Sequence, residues 1–187
     1  MKHSLIKSMA LGAALMLLPI GFCGYASVRT AVPEADYHAE NEYMEIAISE
    51  ARAGIYNGEG GPFGSVIVKD GEIIASAHNM TERLNDSTAH AELLAIQAAE
   101  KATGDRRLTG CALYVTMEPC PMCAGAALNS RIEEIVFGAW DPEMGCCGSR
   151  TDVTDGRLPR RAKTMGGVLE EDCQRLLRDF FREKRGK

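Results

Sequence analysis

The sequence predicts an α/β domain in which helices cover both faces of a mixed sheet. Runs with helical spacing of apolar residues alternate with short β-rich runs, in the order α-β-β-α-β-α-β-(β)-α. That order packs a sheet between helical layers. In addition, 187 residues at 45% hydrophobic composition can bury one sizeable core, and this length favours a single domain. The chain contains no internal repeats or low-complexity tracts.

Residues 1–35 stand apart from the rest. Lys2 and Lys7 precede an apolar run from Met9 to Phe22, and Gly24-Tyr25-Ala26 offers small residues where a signal peptidase would cut. The run is too short and too interrupted by Gly and Pro for a stable membrane span. Two readings stay open: an export signal at about residues 1–26, or a start codon assigned too early, which leaves a cytoplasmic protein. The folded domain is expected from residue 36 to 187.

Within it, Asp36–Asn57 reads as a helix, because Met44, Ala47, Ile48, Ala51 and Ile55 recur at i, i+3/4, i+7 spacing. Asn57-Gly58-Glu59-Gly60-Gly61-Pro62 stops it. Gly64–Lys69 and Glu72–Ala77 are β-rich and joined by Asp70-Gly71, a two-residue hairpin signal. A helix is expected over His90–Lys101, ended by Gly104, then a strand over Ala112–Thr116 and a helix over Cys120–Asn129. Ile132–Ala139 is the next strand, Trp140–Gly156 a loop suited to rim a binding site, and Ala162–Val168 a short last strand. Glu170–Lys184 closes the chain as an amphipathic helix, with Cys173, Leu176, Leu177 and Phe180 on its apolar face.

Two segments carry the chemistry, His90-Ala91-Glu92 and Pro119-Cys120-Pro121-Met122-Cys123. One imidazole and two thiolates suit Zn²⁺. A structural zinc site closes itself with four protein ligands, whereas a catalytic one keeps three and an open position. His90, Cys120 and Cys123 make three, with no fourth Cys or His at ligand spacing. Glu92, two residues past the histidine, is placed to move protons for a water that zinc makes nucleophilic near neutral pH. On its own, Cys-Pro-Met-Cys fits a thioredoxin-like redox pair as well as a metal site. The order His-x-Glu followed by Pro-Cys-x-x-Cys turns the reading toward zinc nucleobase deamination. His38-Ala39-Glu40 repeats the first tripeptide in a polar stretch and reads as a solvated helix start.

Charge and cysteine usage narrow the field further. The net charge of −5 gives no whole-chain nucleic-acid signal, but from Arg150 onward 11 Lys+Arg stand against 7 Asp+Glu. A basic tail on an acidic body fits a local approach to a phosphate backbone, or an ordinary solvated helix face. The seven cysteines do not form a disulfide framework. Two are ligand candidates, Cys111 and Cys173 read as buried thiols, and Cys146-Cys147 is a vicinal pair in a Gly-rich loop.

With those residues in hand, the chain resembles the cytidine deaminase superfamily and, within it, the bacterial tRNA-specific adenosine deaminases. The resemblance runs from about Tyr43 to Arg185 and rests on Thr88–Glu92, Leu113–Ala126, Ser130-Arg131-Ile132, Val136–Ala139 and Phe180-Phe181-Arg182. It implies a three-layer α/β/α cytidine-deaminase-like fold with a mixed central sheet. It also implies zinc on His90, Cys120 and Cys123, with Glu92 as proton shuttle. The substrate would meet Asn79, Pro62, Phe63, Ala91, Asp141, Phe181 and Arg182. By the same resemblance the partners are a tRNA anticodon loop and a second copy of the chain.

Pro62-Phe63-Gly64 departs from the tRNA enzymes toward the superfamily's guanine deaminases, and the loop after Gly148-Ser149 is shortened. Arg157, Arg160, Arg161 and Lys163 are alternative phosphate contacts, and Val66 joins Phe63 as a candidate for apolar contact with a base. The expected activity is hydrolytic deamination of adenosine to inosine in an RNA loop. Its rivals are deamination of guanine or another small purine or pyrimidine, and a non-enzymatic thiol or zinc-storage module.

Overall fold

The computed structural model describes residues 34–186, so the signal-like stretch lies outside the described residues. Helix α1 (Glu34–Tyr56) leads into the hairpin β1 (Gly64–Lys69) and β2 (Glu72–His78). A single turn α2 (Thr81–Leu84) and helix α3 (Ala91–Thr103) follow. Strand β3 (Cys111–Met117), helix α4 (Pro121–Asn129), strands β4 (Glu134–Ala139) and β5 (Lys163–Gly166), and helix α5 (Glu170–Arg185) complete the chain. No described helix is long and apolar enough to cross a membrane.

The sheet has the order β2-β1-β3-β4-β5. β1 is antiparallel to both β2 and β3, while β3, β4 and β5 run parallel. The mixed sheet is therefore as expected. The hairpin turns on Asp70 and Gly71, both at positive φ (52° and 82°), which a tight two-residue connection between twisted strands requires.

Alternation along the strands divides the core. Ile67, Leu113, Val115, Ile135 and Phe137 face Ala95, Ile96 and Ala99 of α3 and Ala124 and Ala127 of α4. Val66, Val68, Tyr114 and Val136 face Met44, Ala47 and Ile48 of α1 and Cys173 of α5. These strands are apolar on both faces because both faces are covered. Helix α1 approaches β1 so closely that a Cβ at Gly64 would strike the Ala47 carbonyl, and α5 approaches β4 so closely that a Cβ at Gly138 would strike the Cys173 thiol. Val66 is thus a core residue on the α1 face and not a contact for a base. Cys111 and Cys173 are buried thiols, as expected.

Several boundaries differ from the expected ones, for local reasons. Cys120 precedes α4 with extended backbone (φ −71°, ψ 171°) because Pro121 occupies the first helical position, and proline disfavours helical backbone in the residue before it. His90 likewise stands at the N-cap of α3 (φ −72°, ψ 151°) instead of in its first turn. The carbonyls of His90 and Cys120 accept the first intrahelical bonds, from Leu94 and Ala124. Strand β4 begins at Glu134, since Arg131 (φ 62°) turns the chain out of α4 and the Ile132 N–H still bonds to Ala127. The turn α2 carries no apolar periodicity to announce it.

Candidate metal centre and substrate cavity

Topology brings the chemistry to one edge of the sheet. Phe63 precedes β1, Asn79 follows β2, Glu118–Cys120 follow β3 and Asp141 follows β4. Given the strand directions, all four junctions open on the same side, at the carboxyl ends of the parallel strands, where α/β sheets bind ligands. The starts of α3 and α4 converge there too and carry His90 and Cys120.

Nδ1 of His90 lies 3.8 Å from Sγ of Cys120 and 3.5 Å from Sγ of Cys123. The three donor atoms all fall within 4.8 Å of one another. A tetrahedral zinc with Zn–N of about 2.0 Å and Zn–S of about 2.3 Å holds such donors about 3.6 Å apart. The spacing therefore fits the ion, and among the described residues no fourth Cys, His or carboxylate joins the group. Cys123 is fully buried at the base, whereas His90 and Cys120 are half-buried and face the cavity.

The ionisable groups of this site shift one another. The S–H of Cys123 donates to Cys120 and, with His90, holds the Cys120 thiol down at about 4. The same contact, with burial, pushes the Cys123 thiol up. Contact with Cys120 raises the His90 imidazole against the opposing effect of burial. Burial pushes the Glu92 carboxyl above the usual carboxylate range, and His90 opposes that shift. A cation in this site would favour both thiolates, since metal binding displaces ligand protons. Glu92 also hydrogen-bonds Cys123, which places its carboxyl at the edge of the donor set.

A cavity of about 520 Å³ opens over these groups, lined by His90, Glu92 and Cys120 together with Phe63, Val115, Met117, Glu118, Asp141–Met144 and Phe181. A second cleft, about 370 Å³, shares Phe63, His90 and Phe181 and adds Asn79, Phe180 and Lys184. Phe63, Asp141 and Phe181 thus all line the cavity, and Asn79 lines the adjoining cleft. Pro62 and Ala91 are fully buried and line neither space. Arg182 is exposed, 2.9 Å from Asp179, and also outside both linings.

The other basic group lies elsewhere. Arg160 and Arg161 border a cleft with Leu128, Arg131, Ile132 and Glu133, at the opposite edge of the sheet, where α4 ends and β4 begins. Arg160 there holds the main-chain and side-chain oxygens of Asn129. Sequence reasoning missed Glu118, whose carboxylate is buried under the rim, and Met117 and Met144 in the lining. It also missed the His78 imidazole, set between Glu50 (3.2 Å) and Glu59 (2.5 Å), with Arg83 closing on Glu59.

Known proteins resemble this chain in both sequence and fold. The family model of the cytidine and deoxycytidylate deaminase zinc-binding region matches residues 38–139. A tRNA-specific adenosine deaminase of Bacillus subtilis (strain 168) is 51% identical over 146 residues, which is 78% of this chain and 90% of that protein. A solved structure from work on A-to-I editing by tRNA:A34 deaminases at the wobble position superposes with a TM-score of 0.67 at 40% identity. It covers 73% of this chain and 99% of that one. Guanine deaminase from Bacillus subtilis superposes at 0.52 with 45% identity, covering 53% of this chain and 63% of that one.

A layered α/β/α fold with this donor set and a buried carboxyl beside it defines a zinc-dependent hydrolytic deaminase. More narrowly, the chain belongs to the cytidine and deoxycytidylate deaminase family.

Proposed function

We propose that this protein deaminates adenosine to inosine in the anticodon loop of a tRNA. The observation that carries the proposal is the cavity of about 520 Å³, open to the surface, with Glu92 buried at the floor beside His90, Cys120 and Cys123. Its size suits one unstacked base, and an anticodon loop presents such a base at low cost. Similarity over most of the chain to a tRNA-specific adenosine deaminase supports the choice of base and of RNA.

His90, Cys120 and Cys123 hold zinc in this reading. When bound, zinc supplies the Lewis acidity that makes water a nucleophile near neutral pH. Glu92 takes one proton from the attacking water and passes it to N1 of adenine as the oxygen adds to C6. It then moves the proton of the new C6 hydroxyl to the amine, so that the C6–N bond breaks, C6 becomes a carbonyl and ammonia leaves. Its raised pKa suits a group that must both accept and release a proton.

Asn79 donates to the base, Phe63 and Phe181 give it apolar walls, and Asp141 lines the nucleic-acid side. Pro62 and Ala91 contribute through the main chain, since their side chains are buried. Arg182, Lys184 and Arg185, in the last turn of α5, meet flanking phosphates. The deaminase domain spans 36–187 and works in the cytoplasm, where its substrate is. Two copies associate as a homodimer, and light scattering in solution tests that statement.

The likeness to a guanine deaminase, together with Phe63 in the cavity lining, favours a second reading in which a free base is the substrate. The deciding experiment offers an anticodon stem-loop RNA, guanine, cytidine and adenosine side by side. Inosine formed in the RNA is the expected result. Turnover of guanine with none of the RNA overturns the proposal in favour of the second reading.

A further inference from the structure

We infer that Glu118 is a positioning residue that fixes the rim of the substrate cavity from below. The residue, only 3% exposed, stands in the chain between the end of β3 and the Pro119-Cys120 pair. Oε2 accepts the N–H of Asp141 at 3.1 Å, and Oε1 accepts those of Cys147 at 2.9 Å and Ser149 at 3.0 Å. The next carbonyl, on Pro119, takes the N–H of Cys146 at 2.9 Å. No Lys or Arg pairs with Glu118 among the described residues.

Loop N–H groups that are buried must find acceptors. In the segment 141–149, which has almost no regular structure, one carboxylate takes the buried N–H of Cys147 and the part-buried N–H groups of Asp141 and Ser149. Hydrogen bonds to a charged acceptor are the stronger kind. Gly145 fits this packing because a Cβ there would strike the Glu118 carboxylate. The segment so anchored supplies Asp141, Glu143 and Met144 to the cavity wall. The anchor itself stands two residues ahead of a metal-ligand candidate. Glu118 therefore sets where the rim stands relative to the metal centre and governs substrate engagement more than proton transfer.

This inference rests on the reading that the cavity admits the base of an RNA loop, and its test separates the two. In Glu118→Gln one carboxylate oxygen becomes a donor facing an N–H donor. Amide exchange at Cys147, Ser149 or Asp141 should accelerate about tenfold or more, the loss expected for a bond to a charged group. Zinc content should stay as in the unmodified protein. KM for an anticodon stem-loop should rise about tenfold with kcat within about twofold. Glu118→Asp, which keeps the carboxylate, should recover part of the KM change.

Unchanged exchange and unchanged KM overturn the inference. So does loss of zinc with kcat reduced and KM unaltered, which would make Glu118 a support for the metal alone. If Glu118→Gln does not fold, Gly145→Ala displaces the same carboxylate without removing it, and the same readouts decide. Should the unmodified protein ignore the RNA, the functional reading fails, while amide exchange still judges the anchoring role.

Discussion

Asn79 and Gly61 are joined in the cleft beside the cavity, the Asn79 Oδ1 accepting the Gly61 N–H at 3.1 Å. The same oxygen takes the Thr81 hydroxyl at 2.8 Å and the Thr81 N–H at 3.3 Å. Its acceptor capacity is spent on the loop, and the main-chain N–H of Asn79 bonds to Phe63. Nδ2 bonds to no described residue, and the side chain lines the cleft shared with Phe63 and His90. An amide held in this way is a preorganised donor whose ordering cost is met in the free protein.

Asn79→Asp tests that division of labour between the two ends of the amide. The variant keeps an oxygen toward Gly61 and Thr81 and loses the donor. Its melting temperature should stay close to that of the parent, while kcat/KM on a stem-loop RNA falls roughly tenfold to hundredfold, the range for an unmet polar contact. A large fall in melting temperature with kcat/KM preserved would reduce Asn79 to a strand cap.

Glu92→Gln separates metal binding from proton transfer. The substitution preserves shape in a site where burial already raises the carboxyl pKa, so stability should be little changed or improved. Zinc content, read by elemental mass spectrometry, should match the parent. Turnover should fall about 10²- to 10⁴-fold, the usual contribution of a positioned acid/base. Deamination at the parental rate would remove Glu92 from the mechanism.

What can be read from the sequence depends on how far apart the interacting residues lie. His90 and Glu92, or Cys120 and Cys123, are legible because each pair is only two or three residues apart and donor chemistry shows in the letters themselves. The hairpin is legible at Asp70-Gly71 for a similar reason, a local dihedral requirement. Glu118 is not, since its bonds reach Asp141, Cys147 and Ser149, 23 to 31 residues away. The side chain of Val66 reads as a candidate substrate contact until register places it on the α1 face of the sheet. Basic residues mislead in the same way, because Arg160 and Lys184 are equal in charge while topology sends them to opposite edges.

Removing zinc should loosen the whole domain, because the metal group ties the starts of α3 and α4 together. A ligand that binds only the folded state adds about 2.7 kcal/mol at a hundred times its Kd. For a chain of this size that corresponds to roughly 5–10 °C in melting temperature. Calorimetry on chelator-treated protein should show a fall of that order. Zn²⁺ should reverse it and Mg²⁺ should not, as nitrogen and sulfur donors discriminate between the two. Full stability after chelation, with zinc shown to be absent, would exclude a metal contribution to the fold.

The His78 bridge predicts an acid-side weakness that does not involve the metal. The imidazole hydrogen-bonds Glu59, and with help from Arg83 it holds the Glu59 carboxyl below its ordinary value of 4.5. A carboxyl depressed in the folded state binds its proton more weakly there than in the unfolded chain. Its stabilisation is therefore complete above the unfolded value and disappears as pH falls through the lowered folded one. Glu59→Gln removes the titrating group. In zinc-free protein, so that metal release does not enter, the melting-temperature gap between parent and variant should be widest near neutral pH. Below about 4.5 it should close progressively. A gap that stays constant from neutral pH down to 3 would show that Glu59 contributes only as a hydrogen-bonded polar group and not as a charge. Since His78 directly precedes Asn79, closing of the gap should be accompanied by a lower exchange protection factor (intrinsic over observed rate at each pH) at Gly61, whose N–H depends on the Asn79 side chain.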